Sequence, residues 1–196
     1  MKKICVLAGI LISFVVTGVI VNAKQSQMQE DLAKEVFRFH VLANSDSDED
    51  QALKMQVKEA VIAYMKEEIP ESESVEATKD WAKTNLSAIV DLAQEVIDEA
   101  GYVYDVSAEV TNCDFPEKTY GDITFPAGEY EALRIEIGAA KGQNWWCVLY
   151  PNLCFIDAVH AVVPEEGKRD LKKVLEEDTY EMVTATTRFK IGWFFF

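Results

Sequence analysis

The spacing of apolar residues changes period twice beyond residue 36, and that order limits the fold more than any other property of the chain. Phe37, Phe39 and Val41 alternate with Arg38 and His40, the signature of a strand with one apolar face. The alternation stops at Asn44-Ser45. Helical spacing then takes over, with Leu53, Val57, Ala60, Val61 and Tyr64 on one face and Pro70 as the stop. Ala82, Leu86, Ile89, Ala93, Val96 and Ala100 mark a second helix, for which Gly101 is a natural C-cap. Strand periodicity returns afterwards. Tyr104, Val106, Ala108 and Val110 share one side of a strand, Leu133, Ile135 and Ile137 one side of another, and NWWCVLY is a further strand. The intervening CDFPEKTYGDITFPAGEY carries Pro116, Gly121, Pro126 and Gly128 and reads as turns or edge structure. Gly167 to Asp178 holds a short helical pattern, and TATTRFKIGWFFF reads as a last strand. Strands grouped after helices predict an α+β fold, a single layer of largely antiparallel sheet covered on one face by two long helices. We expect one domain over residues 35–196, preceded by a polar linker over 24–34.

The N-terminus constrains the compartment. Lys2 and Lys3 precede an uncharged apolar run from Ile4 to Val21, and Val21-Asn22-Ala23 places small or apolar residues around a cleavage point after Ala23. Residues 1–23 therefore read as a secretory signal peptide, or as a membrane anchor over residues 4–21 if uncleaved. In both cases the lysines stay inside and the remainder is exported. The formal net charge is −15 over 196 residues. Such a surface repels phosphate backbones and anionic lipid, so neither nucleic-acid binding nor electrostatic docking on a membrane is expected.

Export permits disulfides. Cys113, Cys147 and Cys154 follow Ala23, so at most one pair forms within the chain. A reversal centred on Tyr150-Pro151 sets Cys147 opposite Cys154, where Cα atoms stand roughly 4.5 to 5.5 Å apart, within disulfide reach. A two-residue turn at Pro151-Asn152 sets Cys147 opposite Ile156 instead, and the sequence leaves both registers open. A thiol nucleophile would be Cys147 or Cys154 with His40 or His160 as base. Cys147 lies inside an apolar strand pattern, however, which raises a thiol pKa and disfavours the thiolate. Two histidines without paired spacing and no C-x-x-C give no zinc signature, and we expect no metal, cofactor or catalytic residue. His40 reads as a solvated or hydrogen-bonded structural histidine. Asp46, Asp48 and Asp50 alternate like a calcium loop, but Gln51 and Val57 occupy its glycine and bidentate-acid positions. Ser47 with Asp50 reads instead as a helix cap. Trp145 and Trp146 point to opposite faces of their strand, and the terminal Trp193 to Phe196 is either core edge or partner surface.

Three stretches, FRFHVLANSDSDEDQALKMQVKEAV, FPEKTYGDITFPAGEYEALRIEIG and AAKGQNWWCVLYPNLCF, resemble the stage II sporulation protein R family in order and spacing. The resemblance covers about Val36 to Phe155. It implies an exported signalling protein of endospore-forming bacteria. Such proteins pass from the forespore into the space between forespore and mother cell and activate a membrane-embedded aspartic protease, which then processes the pro-form of sigma factor E. The family brings no catalytic residue to transfer. For the receptor contact we expect His40, Asn44, Asp46, Tyr120, Gly121 and Trp145, polar and aromatic residues at strand ends and turns within these stretches. The rival from another class is an exported thiol hydrolase using Cys147 or Cys154 with a histidine.

Overall fold

The computed structural model describes residues 2–69, 74–154 and 163–184. Four strands form the main sheet: β1 (Phe37–Leu42), β2 (Val106–Phe115), β5 (Gly128–Ile137) and β6 (Asn144–Tyr150), in the order β2-β5-β1-β6. β2 pairs antiparallel with β5, and β6 antiparallel with β1, whereas β1 and β5 run parallel. The fold is α+β with a mostly antiparallel sheet. A separate two-stranded hairpin, β3 (Lys118–Tyr120) and β4 (Ile123–Phe125), turns at Gly121, whose φ of 59° suits glycine. The glycine- and proline-rich stretch expected as turns thus contains this hairpin.

One face of the sheet packs on α2 (Asp48–Glu68), α3 (Val75–Thr84) and α4 (Leu86–Glu99). Ser47 caps α2, its side chain accepting from Asp50 N at 3.2 Å, and three acids sit in the first turn, where the helix dipole favours anions. Leu53, Val57, Val61 and Met65 of α2 meet Ala82, Ile89, Ala93 and Ile97 over Phe37, Phe39, Val41, Leu133, Ile135 and Ile137. The single second helix expected from periodicity breaks at Asn85. Thr84 Oγ1 donates to Asp80 O and Asn85 Nδ2 to Trp81 O, both at 2.8 Å, so side chains compete for carbonyls the helix would use. The apolar stripe carries through the break, which is why periodicity alone missed it. Gly101, with φ 81°, ends α4 as expected.

The opposite face is covered too, and every residue of β1 is buried. The cover consists of the hairpin, α5 (Glu165–Val174), α6 (Glu177–Thr184) and the end of α1 (Lys2–Glu35). Lys24 to Lys34, expected as a linker, is instead helical. Leu32 is fully buried and packs with Val36, Phe125, Tyr130, Ala132 and Val148, and these contacts hold a polar-looking stretch on the domain. The Ile4–Val21 run is helical as well, but most of its side chains lie outside the described ones. Among the described residues, no helix is long and apolar enough to cross a membrane. The strand expected over Thr184–Phe196, including Trp193 to Phe196, lies outside the described residues except Thr184, which ends α6.

Candidate functional site

At the C-terminal end of β1 the chain enters a polar knot built from Asn44, Ser45, Asp46 and Asp50. Asn44 Nδ2 donates to Asp50 at 2.8 Å, and its Oδ1 accepts from Ala139 N at 2.9 Å. Ser45 Oγ donates to the same carboxylate, and Asp46 accepts from Gln143 N at 2.7 Å. Buried Lys54 donates to Gln143 O at 2.9 Å. These bonds tie the β1–α2 loop to the β5–β6 turn. The turn passes so close that a Cβ on Gly142 would run into the Ser45 carbonyl, and one on Gly138 into the Asn44 side chain. Hydrogen bonds from Ser45 and Asn44 hold the Asp50 carboxyl below the usual carboxylate range. Asn44 and Asp46, expected at the receptor contact, thus use their side chains to brace two loops. The glycine and glutamine of AAKGQN are one half of that brace.

The outer sheet face carries a different environment. Arg38, fully buried, lies in a cage of four rings, with its guanidinium carbon 4.3 Å from the centroid of Phe115, 4.9 Å from Tyr130, 5.1 Å from Phe125 and 5.9 Å from Tyr120. Its Nε donates to Cys147 O at 3.2 Å and its Nη2 to Tyr120 Oη at 3.1 Å. Burial lowers the Arg38 pKa from its ordinary value. His40, two residues along, stacks on Trp146 with centroids 5.0 Å apart and lies 5.2 Å from the Phe115 ring. Both ring nitrogens lack a partner, and burial, aided by the charges of Arg134 and Arg38, pushes the pKa down to about 4. The expectation of a solvated or hydrogen-bonded His40 is therefore corrected. The alternation that put Phe37, Phe39 and Val41 inward put Arg38 and His40 outward, where the hairpin and Trp146 cover them.

Cys147 and Cys154 are bonded, with Cα atoms 5.5 Å apart. Cys154 lies in the turn after β6 rather than in a paired strand, where its N donates to Val148 O at 3.0 Å. Cys147 is the lateral partner of Phe39 and His40 that of Trp146, so Cys147 and His40 sit on opposite faces. His160 lies outside the described residues. Cys113 is a free, half-buried thiol whose pKa is raised by burial. Among the described residues, no cluster of His, Cys, Asp and Glu could hold a metal ion.

The tryptophans split between the faces as expected. Trp145 packs edge-on against Phe39 at 5.7 Å with Lys58 Nζ 5.3 Å from its ring centroid, while Trp146 joins His40 and Phe115. The six expected contact residues therefore fall into three places. Asn44 and Asp46 lie in the knot, Trp145 lies on the helix side, and His40, Tyr120 and Gly121 lie on the outer face and its hairpin. Sequence reasoning passed over Arg38, Trp146 and Arg134. The signal for Arg38 was a cation sharing a strand face with a histidine between aromatic neighbours.

The family model for stage II sporulation protein R matches residues 33–160, which contain the knot, the cage and the disulfide. Stage II sporulation protein R of Bacillus subtilis (strain 168) is 34% identical over 193 residues, covering 94% of this chain and 86% of that protein. No solved structure matches the chain. On the match over most of its length, the chain belongs to the stage II sporulation protein R family.

Proposed function

We propose that the protein is an exported, non-catalytic signal that activates a membrane-embedded aspartic protease and so leads to processing of the pro-form of sigma factor E. Membership of the family carries the sporulation role, and the finer reading extends it. An activator must bind the active state of its receptor better than the inactive one, because a ligand shifts an equilibrium only by that difference. The geometry supports binding over thiol chemistry, since Cys147 is bonded to Cys154 and His40 lies across the sheet from it. Of the expected contact residues, His40, Tyr120 and Gly121 are the set that shares one region of the outer face. The N-terminal run is read as the export signal, and the site of action as the space between forespore and mother cell.

The test is reconstitution. The chain is co-expressed with the protease and the pro-sigma factor in a host lacking both, with and without its N-terminal 23 residues. Processing that depends on export supports the reading, and no processing in either arm overturns it. Mass determination of the exported species decides between cleavage after Ala23 and an intact anchor.

A further inference from the structure

Among the described residues, the buried side-chain polar atoms without a hydrogen-bond partner are Arg38 Nη1, both ring nitrogens of His40, and Arg134 Nε. All belong to one patch. Arg38 and His40 alternate on the outer face of β1, and Arg134 is the lateral partner of His40 on β5. The terminal nitrogens of Arg134 are occupied by Glu109 and Glu136. Arg38 differs, because its hydrogen bonds go to two neutral oxygens, Cys147 O and Tyr120 Oη. Burying a cation without a counter-charge is costly, and four aromatic rings replace only part of its hydration. Stability alone is a weak reason for such a group, because a well-packed apolar residue of similar volume often serves as well.

We propose that Arg38 and His40 form a masked carboxylate site, which takes an Asp or Glu side chain from an apolar-flanked segment of a partner protein once Tyr120 and Trp146 swing aside. The guanidinium fork matches a planar carboxylate, and the surrounding rings of Phe115, Phe125 and Tyr130 suit apolar flanks. The chain's net charge of −15 disfavours a polyanion relative to a singly charged group such as one carboxylate. The cover is light. Tyr120 sits on a three-residue strand of a two-stranded sheet, an element with little stability of its own. Trp146 is half-buried, with His40 stacked on its ring and Lys118 Nζ 5.8 Å from the ring centroid.

This inference rests on the receptor reading above, so the experiment separates the two. Purified full chain is titrated with sodium acetate against sodium chloride at equal ionic strength, with inorganic phosphate as a further arm. The readouts are the His40 ring NMR signals and tryptophan emission. Acetate should move the His40 signals saturably and raise the pH at which the ring titrates, and Arg38→Met should abolish the response. No saturable acetate effect, an effect that survives Arg38→Met, or tighter binding of phosphate than of acetate overturns the site. In the reconstituted system, Arg38→Met should keep its denaturation midpoint and lose about tenfold or more of activation per folded molecule. Arg38→Lys, which keeps the charge but not the fork, serves if the Met variant does not fold and should also lose activation. Full activation by either folded variant overturns the site and leaves the receptor reading intact. Failure of the wild-type chain to activate sinks the receptor reading, while the acetate titration still decides the site.

Discussion

Replacing His40 by phenylalanine should remove most of the loss of stability that the protein suffers between pH 7 and pH 5. His40 is 4% exposed, neither ring nitrogen has a partner, and its pKa falls to about 4 from an ordinary 6.5. Between those values the folded protein keeps the ring neutral while the unfolded chain takes up a proton. The unfolded state therefore binds more protons, so stability falls as pH drops below 6.5 and this loss is complete only below about 4. Each pH unit inside the window costs about 1.4 kcal/mol, so about 2 kcal/mol is gone by pH 5 and about 3 kcal/mol at the end. The charges around the ring are Arg38 on its own strand and Arg134 on β5, with Glu109 and Glu136 on Arg134 and Lys118 beyond Trp146. Asp50, Asp122 and Glu131 also have depressed values and the same sign, but their ordinary pKa values of 3.8, 3.8 and 4.5 put their effect mostly below pH 5. Urea denaturation of wild type and His40→Phe across this range measures the difference. Parallel pH slopes, or an NMR titration of the ring near 6.5, would refute the reasoning, because either means that water or a partner reaches the imidazole.

Four further variants probe the frame. Cys147→Ser with Cys154→Ser opens a loop whose ends are seven residues apart; chain entropy predicts a loss of about 2 kcal/mol in denaturation, with activation unchanged per folded molecule. Loss of activation in a fully folded double variant would favour thiol chemistry instead. Asn44→Ala takes the acceptor from Ala139 N and one donor from Asp50, which keeps Ser45 Oγ, and should cost about 1 kcal/mol by denaturation, without touching the Arg38 cage. Gly142→Ala drives a methyl into the Ser45 backbone and should cost about 2 kcal/mol or more, whereas Gly101→Ala meets open space and pays about 1 kcal/mol for its positive φ. Equal melting points for the two alanine variants would count against the close approach of the two loops.

Much of the molecule is legible in the chain because short-range periodicity reports which face of an element is apolar. The strand at Phe37–Leu42, the Ser47 cap, the Gly101 stop and the opposite-facing tryptophans need only local rules. The disulfide required a choice between two turn registers that local rules leave open. Family membership was legible too, since the three quoted stretches lie within residues 33–160.

The tertiary structure decided what lies against each face. Periodicity states that Arg38 and His40 share a side, but not that Phe115, Tyr120, Phe125 and Tyr130, about eighty to ninety positions along the chain, close over Arg38. Nor does it show that Lys24–Lys34 packs as helix through Leu32, or that Asn44 and Asp46 brace a turn almost a hundred residues away. Burial and electrostatics depend on the distance between side chains in space. The chain alone could therefore show a histidine and an arginine on one strand face, and only their long-range neighbours leave Arg38 Nη1 and both His40 ring nitrogens buried without a partner.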